Sequence, residues 1–301
     1  MDDKKVTGHL ASAGAYIIFG LNIVFCKDIA NASVISPEAL FGIRMVCAAA
    51  LFWVLSLFLP KEKMSGKDLA LTAAAAMIGL VTPQYTFLKG ITMTTSIESS
   101  ILGSLGPVFT MIFAAIFLKE PISGKKALGV GMSLAGVLIL IFGSMAIGSQ
   151  RTGGSSPAGI ALLLMNSLSF ALYLGIFRPL IRKYSVVTFM KWMFLFCLMV
   201  ALPVSLGPVM AIDCSQLSPR LLGETAYLVF FATFVAYFLI PIGQQRLRPT
   251  LVSMYSYLQP VIAVAISILS GIDRLSPMKV AAIILVFTGV AVVNRVGGKR
   301  K

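Results

Sequence analysis

Ten apolar runs, each about the length of a membrane-crossing helix, alternate with short charged breaks along the 301 residues. They span 10–26, 37–59, 69–88, 95–118, 126–147, 158–177, 187–206, 223–243, 250–271 and 279–294. A helix needs about 20 mostly apolar residues to cross the hydrocarbon core of a bilayer. The runs are too long for strands and lack a two-residue alternation. The pattern therefore predicts an all-α polytopic membrane protein with ten transmembrane helices. Composition agrees: 58% of residues are hydrophobic and 12% charged, where soluble domains carry roughly twice that share of charge.

Charge placement gives the expected orientation. The net charge of +14 would suggest a nucleic-acid partner in a soluble chain, but the cations sit in bursts between apolar runs and form no basic face. With the N-terminus in the cytoplasm, eighteen Lys and Arg fall inside and six outside, with Arg44 within a run. The positive-inside rule then places both termini in the cytoplasm of a multi-pass cell-membrane protein, the inner or plasma membrane. The first run ends in Cys26-Lys27-Asp28 with no small-residue cleavage site, so it reads as a retained helix. The four cysteines are scattered and His9 is the sole histidine, so neither a disulfide framework nor a metal site is expected.

The two halves repeat. A shift of 153 residues lays Ser96–Ile141 on Pro249–Asn294 without a gap, matching Pro107 to Pro260, Glu120 to Asp273 and Gly136 to Gly289. A shift of 151 lays Phe19-Gly20 on Phe170-Ala171 and Lys27 on Arg178. Gly148 to Pro157 (GSQRTGGSSP) has the composition of a linker. The expected units are therefore 1–147 and 158–301, joined by 148–157. Five helices is an odd number, so the second unit enters the membrane inverted. Opposed copies of this kind allow alternating access to a site near the midplane.

Several residues carry the resemblance to a known family. Pro107-Val108-Phe109 followed by Phe117-Leu118-Lys119-Glu120-Pro121-Ile122 resembles the signature of EamA-type domains in the drug/metabolite transporter superfamily. Phe19-Gly20 with Lys27, Arg44 in the second run, and Gly90-Ile91 with Thr95 are similar to the same pattern. The second copy departs from it at Asp273-Arg274-Leu275, and Arg44 has no basic mate in the seventh run. The resemblance implies a ten-helix, inverted-repeat exporter or exchanger of metabolites or drugs.

Ionisable residues inside a membrane are expensive and so are candidates for function. Arg44 and Glu98 lie at similar depth toward the outer ends of the second and fourth runs. Three readings fit: a structural salt bridge, a substrate site in which Arg44 takes an anionic group beside Glu98, or two side chains reaching separately to the interface. Helical spacing sets Glu98, Leu102, Leu105 and Phe109 on one face of the fourth run, opposite a small-residue stripe. The repeat carries that face to Tyr255 and Gln259, which are expected to share the cavity. Asn22 and Tyr173 match across the halves, Gln84 and Tyr85 follow Pro83, and Gln244 follows Pro241; each could line the path or join helices.

The expected function is secondary transport of small amino-acid-like or drug-like solutes, as an exporter, with the bilayer and the solute as partners and no cofactor. A flippase for a lipid-linked metabolite is the nearest alternative. An intramembrane enzyme lacks a general base beside any nucleophile and a second carboxylate near Glu98. The fused repeats allow either a monomer or a homodimer.

Overall fold

The computed structural model describes residues 3–94, 96–145, 156–269 and 276–297, and these form helices and connecting turns. In chain order they are α1 (Asp3–Ala32), α2 (Pro37–Leu57), α3 (Gly66–Thr92), α4 (Ser96–Ser104), α5 (Gly106–Leu118) and α6 (Gly124–Met145). After the junction come α7 (Pro157–Ile176), the short α8 (Arg178–Lys183), α9 (Val186–Met210), α10 (Pro219–Arg246), α11 (Pro249–Met254), α12 (Leu258–Leu269) and α13 (Pro277–Gly297). Among the described residues, eight helices are long and apolar enough to span a bilayer. The runs at 126–147 and 250–271 are helical over their described parts as α6 and α11–α12. The fold is that of a polytopic membrane protein.

The helix starts are written locally. Ser36, Ser156, Ser218 and Ser276 each precede a proline, and each hydroxyl accepts the backbone N–H three residues on. A serine cap satisfies an otherwise orphaned donor, while proline at the first helical position gives up no hydrogen bond and presets φ. Large apolar side chains such as Leu57, Phe58, Ile116, Met199, Leu206, Ile284 and Phe287 remain exposed. Such a surface suits hydrocarbon and not water.

Breaks in the helices recur at matched places. α3 passes through a π-turn at Met77–Val81 and α10 through one at Phe230–Val235, with first residues 153 apart. α4 gives way to α5 at Leu105, just before Pro107; α11 gives way to α12 through a 3-10 turn at Tyr255–Tyr257, just before Pro260. Proline lacks the N–H that an unbroken helix needs, so each break sits on the helical turn that its proline disrupts.

Packing between the halves is reciprocal. α6 and α13 run antiparallel, and Cβ atoms added at Gly129 and Gly136 would lie 2.8 Å and 2.7 Å from the carbonyl oxygens of Gly289 and Ala282. Under the 153 shift, Gly129 corresponds to Ala282 and Gly136 to Gly289, so the contact maps onto itself. Gly90 meets Leu163 and Gly159, while its counterpart Gly243 meets Ser12 and Gly8. These glycines let backbones approach where any side chain would hold them apart.

Candidate functional site

A cavity of about 160 Å³ lies between α1, α2, α3, α4–α5, α7, α10 and α11–α12. A single water needs roughly 10–15 Å³ on this measure, so a small metabolite's polar head fits. The walls carry Tyr16, Phe19, Phe87 and Phe170 on the apolar side. Arg44, Asn22, Gln84, Asn166, Ser256 and Gln259 supply polar groups.

Arg44 projects from α2 and is only 3% exposed. Its Nε donates to Thr233 Oγ1 at 2.7 Å, and its Nη1 lies 4.0 Å from Cys26 Sγ. The Thr233 hydroxyl proton is already committed to the Leu228 carbonyl at 2.7 Å, a five-residue reach across the π-turn of α10. That leaves its lone pair for arginine. Cys26 Sγ in turn donates toward Asn22 Oδ1 at 3.7 Å. No described carboxylate lies within ion-pairing distance of Arg44. A buried guanidinium with a neutral partner keeps unmet hydrogen-bonding capacity, which an anionic ligand can satisfy.

Gln84 shows the same excess from a neutral group. It follows Pro83 in α3 and is 5% exposed, and among the described residues neither Oε1 nor Nε2 makes a hydrogen bond of good geometry, the Tyr237 hydroxyl being the polar group beside it. Its counterpart by the 153 shift is Tyr237, which also lines the cavity. Ser256 Oγ, in the 3-10 turn, is likewise buried without a partner.

α7 supports the wall by capping broken backbone. In the π-turn Thr82 N–H bonds to the Met77 carbonyl, five residues back. The next donor in that register would be Pro83, which has none, and Ser169 Oγ donates to the freed Ile78 carbonyl at 2.6 Å. Asn166 Nδ2 donates to the Pro83 carbonyl at 2.7 Å, and Ser167 Oγ to the Leu102 carbonyl, where α4 ends, at 2.9 Å. Backbone groups left open within a membrane require such partners.

Of the residues expected from the sequence, Asn22, Arg44, Gln84 and Gln259 converge on this cavity. The side chain of Glu98 lies outside the described residues, and with it the expected Arg44–Glu98 pair. Tyr255 is not among the residues lining this cavity; its hydroxyl bonds His9 Nδ1 at 2.7 Å. The four-residue spacing holds one face in an α-helix, but the 3-10 turn between the two winds more tightly and rotates Tyr255 away. Tyr173 is buried with its ring against Gly79, where an added Cβ would lie 2.4 Å from it, and sits between Phe170 and Phe177. Tyr85 packs edge-on against Phe41. Gln244 is fully buried, its Nε2 toward the Leu174 carbonyl at 3.4 Å and its backbone carbonyl accepting from Arg178 Nε.

Thr233, Asn166 and Ser167 escaped the sequence reading. Asn166-Ser167-Leu168-Ser169 is a polar cluster inside an apolar run, a signal that was available. Thr233 offered none, since its role depends on the π-turn.

At the end of the bundle that carries the N-terminus, polar contacts replace the cavity. Asp68 accepts hydrogen bonds from Ser65 Oγ, Tyr184 Oη and Lys183 Nζ. The bond to Asp68 holds the Lys183 ammonium above its ordinary pKa range. Gln245 Nε2 donates to the Ile181 and Tyr184 carbonyls.

This arrangement has relatives. A transporter of uncharacterised substrate from Archaeoglobus fulgidus is 26% identical over 264 residues, covering 87% of this chain and 90% of its own. A probable amino-acid metabolite efflux pump of Escherichia coli is 25% identical over 287 residues, covering 91% and 90%. A protein of known crystal structure superposes with a TM-score of 0.75 at 16% identity, over 99% of this chain and 98% of its own, so the fold is shared. The model of the EamA-like transporter family matches residues 6–142 and again 157–295, each match holding one of the two π-turns and one of the two proline breaks. A polar-lined cavity among apolar helices and a doubled match over nearly the whole sequence lead to one assignment: the chain belongs to the EamA-like transporter family.

Proposed function

We propose that this transporter is a secondary exporter of small carboxylate-bearing metabolites, amino-acid-like in size, working by alternating access between two inverted five-helix repeats. In this reading residues 1–147 and 158–301 are the repeats, the chain crosses the cell membrane ten times, and both termini are cytoplasmic. The reciprocal packing of α6 on α13 and the paired π-turns support the inverted arrangement. The efflux role ascribed to the Escherichia coli relative agrees with the direction.

The observation that carries the substrate class is Arg44, buried beside the cavity with a threonine hydroxyl as its one oxygen partner among the described residues. A carboxylate would meet it as a charge-assisted pair. Gln84 and Asn22 can turn oxygens toward an ammonium group, and the aromatic wall can hold an apolar body.

Counterflow in proteoliposomes tests this. Amino acids should exchange and their decarboxylated amines should not. Equal exchange of both would refute the role of the carboxylate.

A further inference from the structure

We propose that Thr250 and Glu120 form the latch that closes the cavity at the end of the bundle carrying the N-terminus; the proposal rests on the alternating-access reading above. Glu120 follows α5 after Lys119, whose left-handed backbone (φ 53°) turns the chain back, and the Glu120 N–H bonds the Ala114 carbonyl. The side chain is buried, and its Oε2 accepts two bonds of unequal strength. Lys126 Nζ, at the start of α6, lies at 2.7 Å; Thr250 Oγ1, at the start of α11, lies at 3.2 Å.

The first bond stays within one half of the chain. The second joins residues 130 apart in sequence, across the halves. A charge-assisted O–H···O⁻ bond at full strength is about 2.5–2.7 Å long, so the crossing bond is the weak one. That inequality suits a contact made and broken in each cycle: Lys126 keeps the carboxylate compensated whenever Thr250 leaves. Glu120 Oε1 is buried without a hydrogen-bond partner among the described residues; the Arg178 guanidinium of the second half acts on the carboxylate through its charge alone.

In sequence, the other half keeps the charges of this contact but not the threonine. The 153 shift takes Glu120 to Asp273 and Lys126 to Lys279, preserving both charges, but takes Thr250 to Ile97, which has no hydroxyl. Packing follows the same asymmetry. α11 lies along α5, whereas α4 and α12, their counterparts, make no comparable contact among the described residues.

Accessibility of Ser253, a cavity-lining residue one turn beyond Thr250, reads the latch. With Cys47 and Cys214 replaced by serine, Ser253→Cys is labelled by a membrane-impermeant maleimide applied from the face bearing the N-terminus. Thr250→Val should raise the labelling rate about two- to tenfold, the range for loss of one modest hydrogen bond. Thr250→Ser should label like the unmodified parent. Glu120→Asp, which draws the carboxylate back by one methylene, should behave like Thr250→Val and serves if that variant misfolds. Unchanged labelling in both Thr250→Val and Glu120→Asp, or equal acceleration in Thr250→Ser, would overturn the latch. Failure of the parent to exchange any solute would instead strike the transport reading.

Discussion

Ser133 Oγ donates a hydrogen bond at 2.9 Å to the backbone carbonyl of Val286, the residue 153 positions on and its own counterpart in the second half. A residue can touch its counterpart only near an axis of pseudo-symmetry. Gly129 with Gly289, and Gly136 with Ala282, flank the same point. This seam anchors one half on the other by close backbone approach.

The seam should be intolerant of added volume. A Cβ at residue 289 would lie 2.2 Å from Ser133 Oγ and 2.4 Å from the Gly129 carbonyl oxygen. Gly289→Ala should destabilise the protein by about 1–3 kcal/mol, measured as a lowered melting temperature in detergent. Gly131→Ala, two residues from Ser133 but with open space around the new methyl, should be neutral or slightly stabilising.

Gln84 places function against stability. Its amide is buried without a hydrogen bond of good geometry among the described residues, so Gln84→Leu should stabilise the substrate-free protein by about 1–3 kcal/mol. Transport should fall in the same variant, because the groups removed face the cavity. A variant that is more stable and equally active would show that Gln84 does not meet the substrate.

Thr233 should matter through its hydroxyl alone. Thr233→Val removes the acceptor for Arg44 Nε and leaves a buried donor unmet, at a cost of about 1–3 kcal/mol. Thr233→Ser retains the oxygen and should restore both stability and apparent substrate affinity. Melting temperature and concentration-dependent uptake, compared across the three proteins, check this.

Much of this was legible in the sequence, and the boundary is physical. Helix positions follow from run length and from Ser-Pro starts, which are local. The 153 offset was visible through Pro107 and Pro260, and the same offset relates the π-turns and breaks. Helical spacing reports a shared face only while the helix stays regular. Gln259, beyond the 3-10 turn, fell on the cavity, while Tyr255, at its start, was carried toward His9. Tyr173 matches Asn22 in sequence, yet Gly79 leaves a slot that the ring fills, so one counterpart lines the cavity and the other packs. Such choices depend on a neighbour from a distant run, which periodicity does not report.

Arg44 is the centre of the account, and exchange of a carboxylate-bearing solute in proteoliposomes tests it most directly. Arg44→Gln, at matched expression and with its melting temperature recorded, should lose at least tenfold in apparent affinity for amino-acid substrates, about the effect of one lost charge-assisted bond. Arg44→Lys should retain part of it, keeping the charge without the planar fork. An Arg44→Gln protein that folds and exchanges the same amino acids at the parent's affinity would contradict the assignment of Arg44 to the substrate.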